Sequence, residues 1–276
     1  MGPAAPGPDP DRRSRGGPGA ARRVRLRPLP RGHLHRLAAP PGAVAGHTDL
    51  QAGALLPPGQ ARRDAIAAAP MLAVPPDASR SGTPAARPGP AITIPAPSRV
   101  GPADVPTGFP RIPEGAVGQL AAIEATVVQG MSIGRAHAVH HAWAAPGAVP
   151  ADSWDLTASI QAFLGSAAGT RAADLAAVVV ATPVAAKVKG VDGQDWVLAC
   201  VLLNVTARIA TQARVAYGHC ERMQWTPGAG AGRWVIAPGS APARAPSTWP
   251  GTDLAGQAGW ATWTSGPSPV ATGPTR

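Results

Sequence analysis

The first hundred residues of this 276-residue chain contain no Phe, Trp or Tyr. They hold 19 of the 34 prolines, and 14 arginines against five aspartates give them a net charge of +9 out of the chain's +10. Such a segment buries too little apolar surface to offset the entropy of ordering it. It reads as a disordered Pro/Ala/Gly/Arg-rich arm over residues 1–100, followed by a domain over 101–264 and a loose tail over 265–276. The remaining 176 residues are close to neutral, with 11 basic and 10 acidic side chains. The high pI therefore belongs to the arm, and it does not mark the folded part as a nucleic-acid-binding domain. Nucleic acid or an anionic membrane surface is a partner only for the arm, through Arg12, Arg13, Arg15, Arg22, Arg23, Arg25 and Arg27. A solvated tail without a partner is the alternative. A third reading is a GC-rich gene read in a shifted frame or from a wrong start, since both lysines (Lys187, Lys189) lie far downstream.

Other absences exclude further classes. No apolar run reaches the ~18 residues that span a bilayer. There is no charged start followed by an apolar stretch and a cleavage site. As written, the chain reads as cytoplasmic; a different N-terminus encoding an apolar anchor would make it extracytoplasmic and membrane-anchored. No Gly-rich loop opens a helix to cradle phosphate, because Gly228 to Gly232 lies between two strands. No serine elbow or Cys/His nucleophile pattern occurs.

What is present is a sheet, from Asp174 to Pro238. In Trp196 to Ile209, the residues Val197, Ala199, Val201, Leu203, Val205, Ala207 and Ile209 make one apolar face at period two. The other face begins apolar (Trp196, Leu198, Cys200, Leu202) and ends polar (Asn204, Thr206, Arg208). This predicts a strand buried on both sides at one end and wet on one side at the other. Val178 to Gly190 precedes it across an Asp192-Gly193 turn, with Pro183 at an edge or bend. Arg214 to Trp225 and Arg233 to Ala237 follow, making a four-stranded antiparallel meander.

Upstream, Pro113 suits the first turn of a helix running to about Gly130, with Glu114 against its positive end. Val117, Leu120, Ala121, Val127 and Val128 form its sheet-facing stripe, which Glu124 borders. Ser132 caps a second helix to Ala145. Asp152 or Ser153 caps a third, ending near Gly165. Helices followed by strands predict an α+β fold: three N-terminal helices packed on a curved four-stranded antiparallel sheet. Downstream, Thr252 caps a short helix with Leu254, Ala258 and Ala261 as its inner stripe. Trp249, Trp260 and Trp263 either dock onto the domain or form an interaction surface for another protein.

The segments TGFPRIPEGAVGQLAAIEATV, DWVLACVLLNVTA, YGHCERMQW and APSTWPGTDLAGQAGW resemble an uncharacterised family of high-GC Gram-positive bacteria. Its members are commonly encoded in integrative and conjugative elements. The likeness covers about residues 104 to 263. The order of helices and long strands is also similar to the nuclear transport factor 2-like cone. That fold serves as small-molecule pocket, as enzyme and as an assembly part of conjugative secretion systems. The resemblance implies a non-enzymatic interaction or assembly domain of a mobile element, with a protein partner. Its alternative is a small-ligand pocket or an isomerase-like enzyme.

Two clusters carry candidate chemistry. Tyr217, His219 and Glu221 alternate on one strand face, which in a cone lines the cavity and can supply an acid, a base and a hydroxyl donor. The alternation reads as an outward, solvated face with no catalytic residue, and the acid–base cluster is its alternative. His137, His140 and His141 share a helix face at i, i+3 and i+4, but no fourth ligand or helix glutamate accompanies them. They read as solvated, with no metal and no cofactor expected. Finally, the chain has two cysteines. A three-residue loop at 209–211 pairs Arg208 with Gln212 and sets Cys200 opposite Cys220. A two-residue loop sets Cys200 opposite Glu221, and a four-residue loop opposite Met223. Only the first register permits a disulfide; two buried free thiols are the other reading.

Overall fold

A computed structural model of the chain describes residues 56–166, 178–208, 212–228 and 232–267. The centre is the expected meander of four antiparallel strands. These are β4 (Val178–Val191), β5 (Trp196–Arg208), β6 (Gln212–Thr226) and β7 (Arg233–Ile236). The β4–β5 hairpin closes at Val191 opposite Val197, over Gly193 with φ 70°, a conformation that glycine adopts without steric cost. β5 is buried on both faces from Trp196 to Leu203 and opens to solvent toward Arg208, as its two-faced pattern requires.

The sheet has six strands rather than four. β1 (Ala91–Ile94) and β8 (Ala261–Ser265) extend it beyond β4, giving the order β1-β8-β4-β5-β6-β7 in a curled sheet. β8 runs antiparallel to β4, with Ala185 opposite Thr262, and β1 runs parallel to β8. Neither is legible as a strand from its own residues. AITI and ATWTS are short, and each finds its partner across about 170 residues of sequence. A separate ribbon joins β2 (Arg99–Val100) to β3 (Pro106–Thr107).

One face of the sheet carries the helices. α2 (Pro113–Gly130) lies against β4 and β5, with Val117, Leu120, Ala121, Val127 and Val128 all buried. Glu124 does not border this stripe; it sits inside it, fully buried. α3 (Ile133–Trp143) begins with the Ser132 hydroxyl accepting from Arg135 N. It ends two residues before Ala145, because Ala144 leaves the helix to bridge Ile236 and the Ala145 amide donates to the Ile236 carbonyl. α4 (Asp155–Leu164) is capped neither by Asp152 nor by Ser153, which lie in a 3-10 turn. Trp154 occupies the N-cap with extended backbone, and this turns its indole into the core.

The opposite face is covered by segments on both sides of the expected domain. Residues 56–100 belong to the fold, so the boundary read near residue 100 is corrected. α1 (Gln60–Ala68) packs Ile66 and Ala67 on Trp196, Leu198 and Ala237. Met71 and Leu72 pack on Cys200, Cys220 and Trp260. The absence of aromatics in this stretch misled because the sheet supplies them: small aliphatic side chains suffice when they land on tryptophan. α5 (Asp253–Gln257) completes this layer, with Thr252 Oγ1 accepting from Ala255 N at 3.2 Å. Its inner residues are Ala255 and Ala258; Leu254 is half-buried, and Ala261 already belongs to β8. Ser265 and Gly266 still pair with Ile94, so the tail does not start at 265. The expectations for residues 1–55 and 268–276 lie outside the described residues.

Candidate functional site

In a strand, alternate side chains share a face, and β6 places Tyr217, His219 and Glu221 on the helix side of the sheet with Met223. Glu221 is buried and both its oxygens are engaged. Trp154 Nε1 donates to Oε2 at 2.9 Å, and the Arg222 amide donates to Oε1 at 3.0 Å. His219 is equally buried, with Nε2 3.6 Å from Glu221 Oε2. The Tyr217 ring lies nearly parallel to the His219 ring, and its hydroxyl is 3.1 Å from Ser159 Oγ on α4. The face is thus neither solvated nor an open cavity. It is a polar seam under α2, α3 and α4.

Glu124 faces this seam from α2. Neither of its oxygens has a hydrogen-bond partner among the described residues. Its carboxyl is held well above the usual carboxylate range, first by burial and then by the Glu221 charge. Burial lowers His140 despite the hydrogen bond to the Val149 carbonyl at 2.8 Å. That carbonyl can only accept, so His140 Nε2 carries the proton. The Tyr217 phenol is raised, above all by burial; Glu124 and Asp155 add to this, while Ser159 and Arg244 oppose it.

Tyr217 and His219 also reach a cleft of about 450 Å³ between α4, the outer edge of β6 and residues 242–247. β7 pairs with β6 only from Met223 onward, leaving the edge near Gly218 without a strand neighbour. Residues 242–247 run there instead, and the Gly218 amide donates to Ser247 Oγ at 3.0 Å. A Cβ on residue 218 would stand 2.8 Å from the Pro246 carbonyl oxygen, so glycine permits this approach. Glu221 lies behind the wall and does not line the cleft. The triad is therefore split: two members face the cleft and the carboxylate is enclosed.

The other singled-out residues fall elsewhere. Cys200 and Cys220 are directly opposed on β5 and β6, in the register that pairs Arg208 with Gln212, and they are joined by a disulfide on the face away from the helices. His137, His140 and His141 do not converge. His140 points inward against Trp154, His137 Nε2 lies 3.3 Å from Asp152, and His141 is exposed. No group of metal-ligating side chains forms among the described residues. The three tryptophans do not make a shared surface. Trp260 is buried and donates to the Pro246 carbonyl, and Trp249 packs beside it with its amide on the Ala78 carbonyl. Trp263 packs on the helix side of the sheet. They dock onto the domain from two faces, which corrects the interaction-surface reading. The seven arginines of the arm lie outside the described residues.

Sequence reasoning missed Trp154, Asp155, Ser159, Arg244 and Ser247 as site residues. Glu124 was visible as an acid interrupting an apolar helical stripe. Arg244 and Ser247 sit in irregular chain, where no periodicity assigns a direction. Compared with known proteins, the chain matches no family, no curated protein and no solved structure.

Proposed function

We propose that this is a non-enzymatic interaction or assembly domain, associated with a conjugative mobile element and working in an oxidising compartment. The observation that carries the reading is the filled interior. An isomerase-like site of the nuclear transport factor 2-like kind needs a carboxylate facing its ligand. Here Glu221 is 4% exposed, with both oxygens bonded to Trp154 and Arg222. Helices on one face of a curled sheet support the cone resemblance, although two edge strands and a second covering layer go beyond it. The Cys200–Cys220 bridge supports placement outside the cytoplasm, since structural disulfides persist where thiols are not kept reduced. No helix among the described residues is long and apolar enough to cross a membrane. Cross-linking in the native host, followed by purification of the full chain, tests the reading. Recovery of other products of the same element from the cell-surface fraction is the expected result. A chain recovered alone from the cytoplasm, with both thiols free, removes it.

A second reading, a small-ligand pocket, is favoured by one observation: Tyr217 and His219 line the cleft beside α4.

A further inference from the structure

We propose that the cleft between α4, the open edge of β6 and residues 242–247 binds a small zwitterion, a molecule of dipeptide size with a carboxylate at one end and an ammonium group at the other. This deepens the ligand-pocket reading and is independent of the assembly role. At about 450 Å³ the cleft falls within the ~300–1,000 Å³ range of small-molecule sites. Among the described residues its lining contains one basic and one acidic side chain, Arg244 and Asp155. Neither has a salt-bridge partner among the described residues. Both line the cleft together with Tyr217, so the two opposite charges belong to one site.

The same lining holds uncharged groups with hydrogen-bonding capacity to spare. Tyr217 and Ser159 share one hydrogen bond but own two hydroxyl hydrogens, which leaves one donor for a ligand. Ser247 Oγ accepts from the Gly218 amide and keeps its own hydrogen free to donate. His219 lines the same wall, 5% exposed, with no hydrogen bond to Nε2 among the described residues. Cys220 of the disulfide, Gly218, and alanine and proline side chains complete the lining and leave room for small substituents. A ligand carrying only a carboxylate would meet Asp155 as well as Arg244, and one carrying only an ammonium group would meet the reverse. A ligand bearing both charges satisfies both residues.

Isothermal titration of the purified full chain tests this with three probes: L-alanyl-L-alanine, its N-acetyl form and its C-terminal amide. The free dipeptide is expected to bind at least about tenfold more tightly than either blocked form, the size of one charge-assisted hydrogen bond. Arg244→Gln should weaken the free dipeptide and leave the amide unchanged. Asp155→Asn should weaken it and leave the acetyl form unchanged. Arg244 is exposed, so its replacement does not touch the core; the probe series on the unaltered chain stands without either variant. Absence of saturable heat with the dipeptide overturns the proposal, as does an acetyl or amide form that binds equally well. Neither result bears on the assembly role, which no purified-chain titration probes.

Discussion

Cys200 on β5 and Cys220 on β6 stand directly opposite, with Cα atoms 4.0 Å apart, and are disulfide-bonded. Such a close approach belongs to the narrow, non-hydrogen-bonded class of antiparallel pair. The bridge closes a loop of 20 residues, and Cys220 Sγ lies 3.5 Å from Met71 Sδ under the covering layer. Protein expressed in its native compartment should gain the mass of two hydrogens on reduction. Reduction should also lower unfolding free energy by about 3 kcal/mol in the chain-entropy account. An unchanged mass on reduction rules the bridge out in that compartment.

Residues 56–100 are predicted to be part of the cooperative unit. A chain starting at residue 101 exposes Trp196 and Leu198 by losing Ile66 and Ala67, and it loses β1 from the sheet edge. It also strips Lys189, 1% exposed, of the Ala67 and Ala69 carbonyls to which its ammonium donates. Each large side chain so exposed costs about 1.5–3 kcal/mol, so the two together remove a large share of a typical domain's stability of about 5–15 kcal/mol. Thermal melts of chains starting at 56 and at 101 decide it. Equal melting temperatures would return these residues to the status of an appendage.

Asp192, in the β4–β5 turn, holds the start of α1: it accepts from Arg63 Nε at 2.6 Å and from the Gly59 amide at 3.1 Å. The carboxylate is 1% exposed and Arg63 only partly so. Asp192→Ala should cost about 2 kcal/mol, because it removes a charge-assisted bond and leaves the partly buried Gly59 amide without its acceptor. Arg63→Ala should cost less. In a double-mutant cycle the two should couple by about 1 kcal/mol. Strict additivity in denaturant titrations would mean that α1 is held by its apolar contacts alone.

The part of this fold legible in the sequence was the part built from local periodicity. From Val197 to Val205 every second residue is apolar while the other face turns polar only at Asn204, and the 18-residue α2 carries its stripe at helical spacing. The register across β5 and β6 followed from counting alone once a three-residue link was assumed. What escaped was everything that depends on distant partners. β1 and β8 find each other across the whole domain, and α1 becomes a helix on an aromatic surface more than a hundred residues away. Trp154 stands just before α4, where no helical spacing assigns its direction, and completes the shell of Glu221. The Tyr217, His219 and Glu221 alternation was read correctly as one face, but its division between a cleft and an enclosed seam depends on α4 and residues 242–247.

Glu124 provides the last prediction, because its environment sets the sign of a pH effect. It is fully buried with no hydrogen-bond partner among the described residues, so the folded state keeps its proton at pH values where the unfolded chain has released it. The folded-state pKa is raised, so the stability tied to this group is complete below the unfolded value of about 4.3. It falls as pH rises from there toward the folded value, by up to about 1.4 kcal/mol per pH unit. Glu124→Gln keeps the shape and a neutral polar group but has no proton to lose. Its advantage over the unaltered chain should therefore grow between about pH 5 and pH 7, where burial still disfavours the charged carboxylate. His140 is lowered by burial and so acts in the opposite sense, losing stability as pH falls below its ordinary range, and it is common to both proteins. Urea midpoints of the two proteins across that interval give the difference directly. A constant offset at every pH would show that Glu124 titrates in the fold much as it does in water.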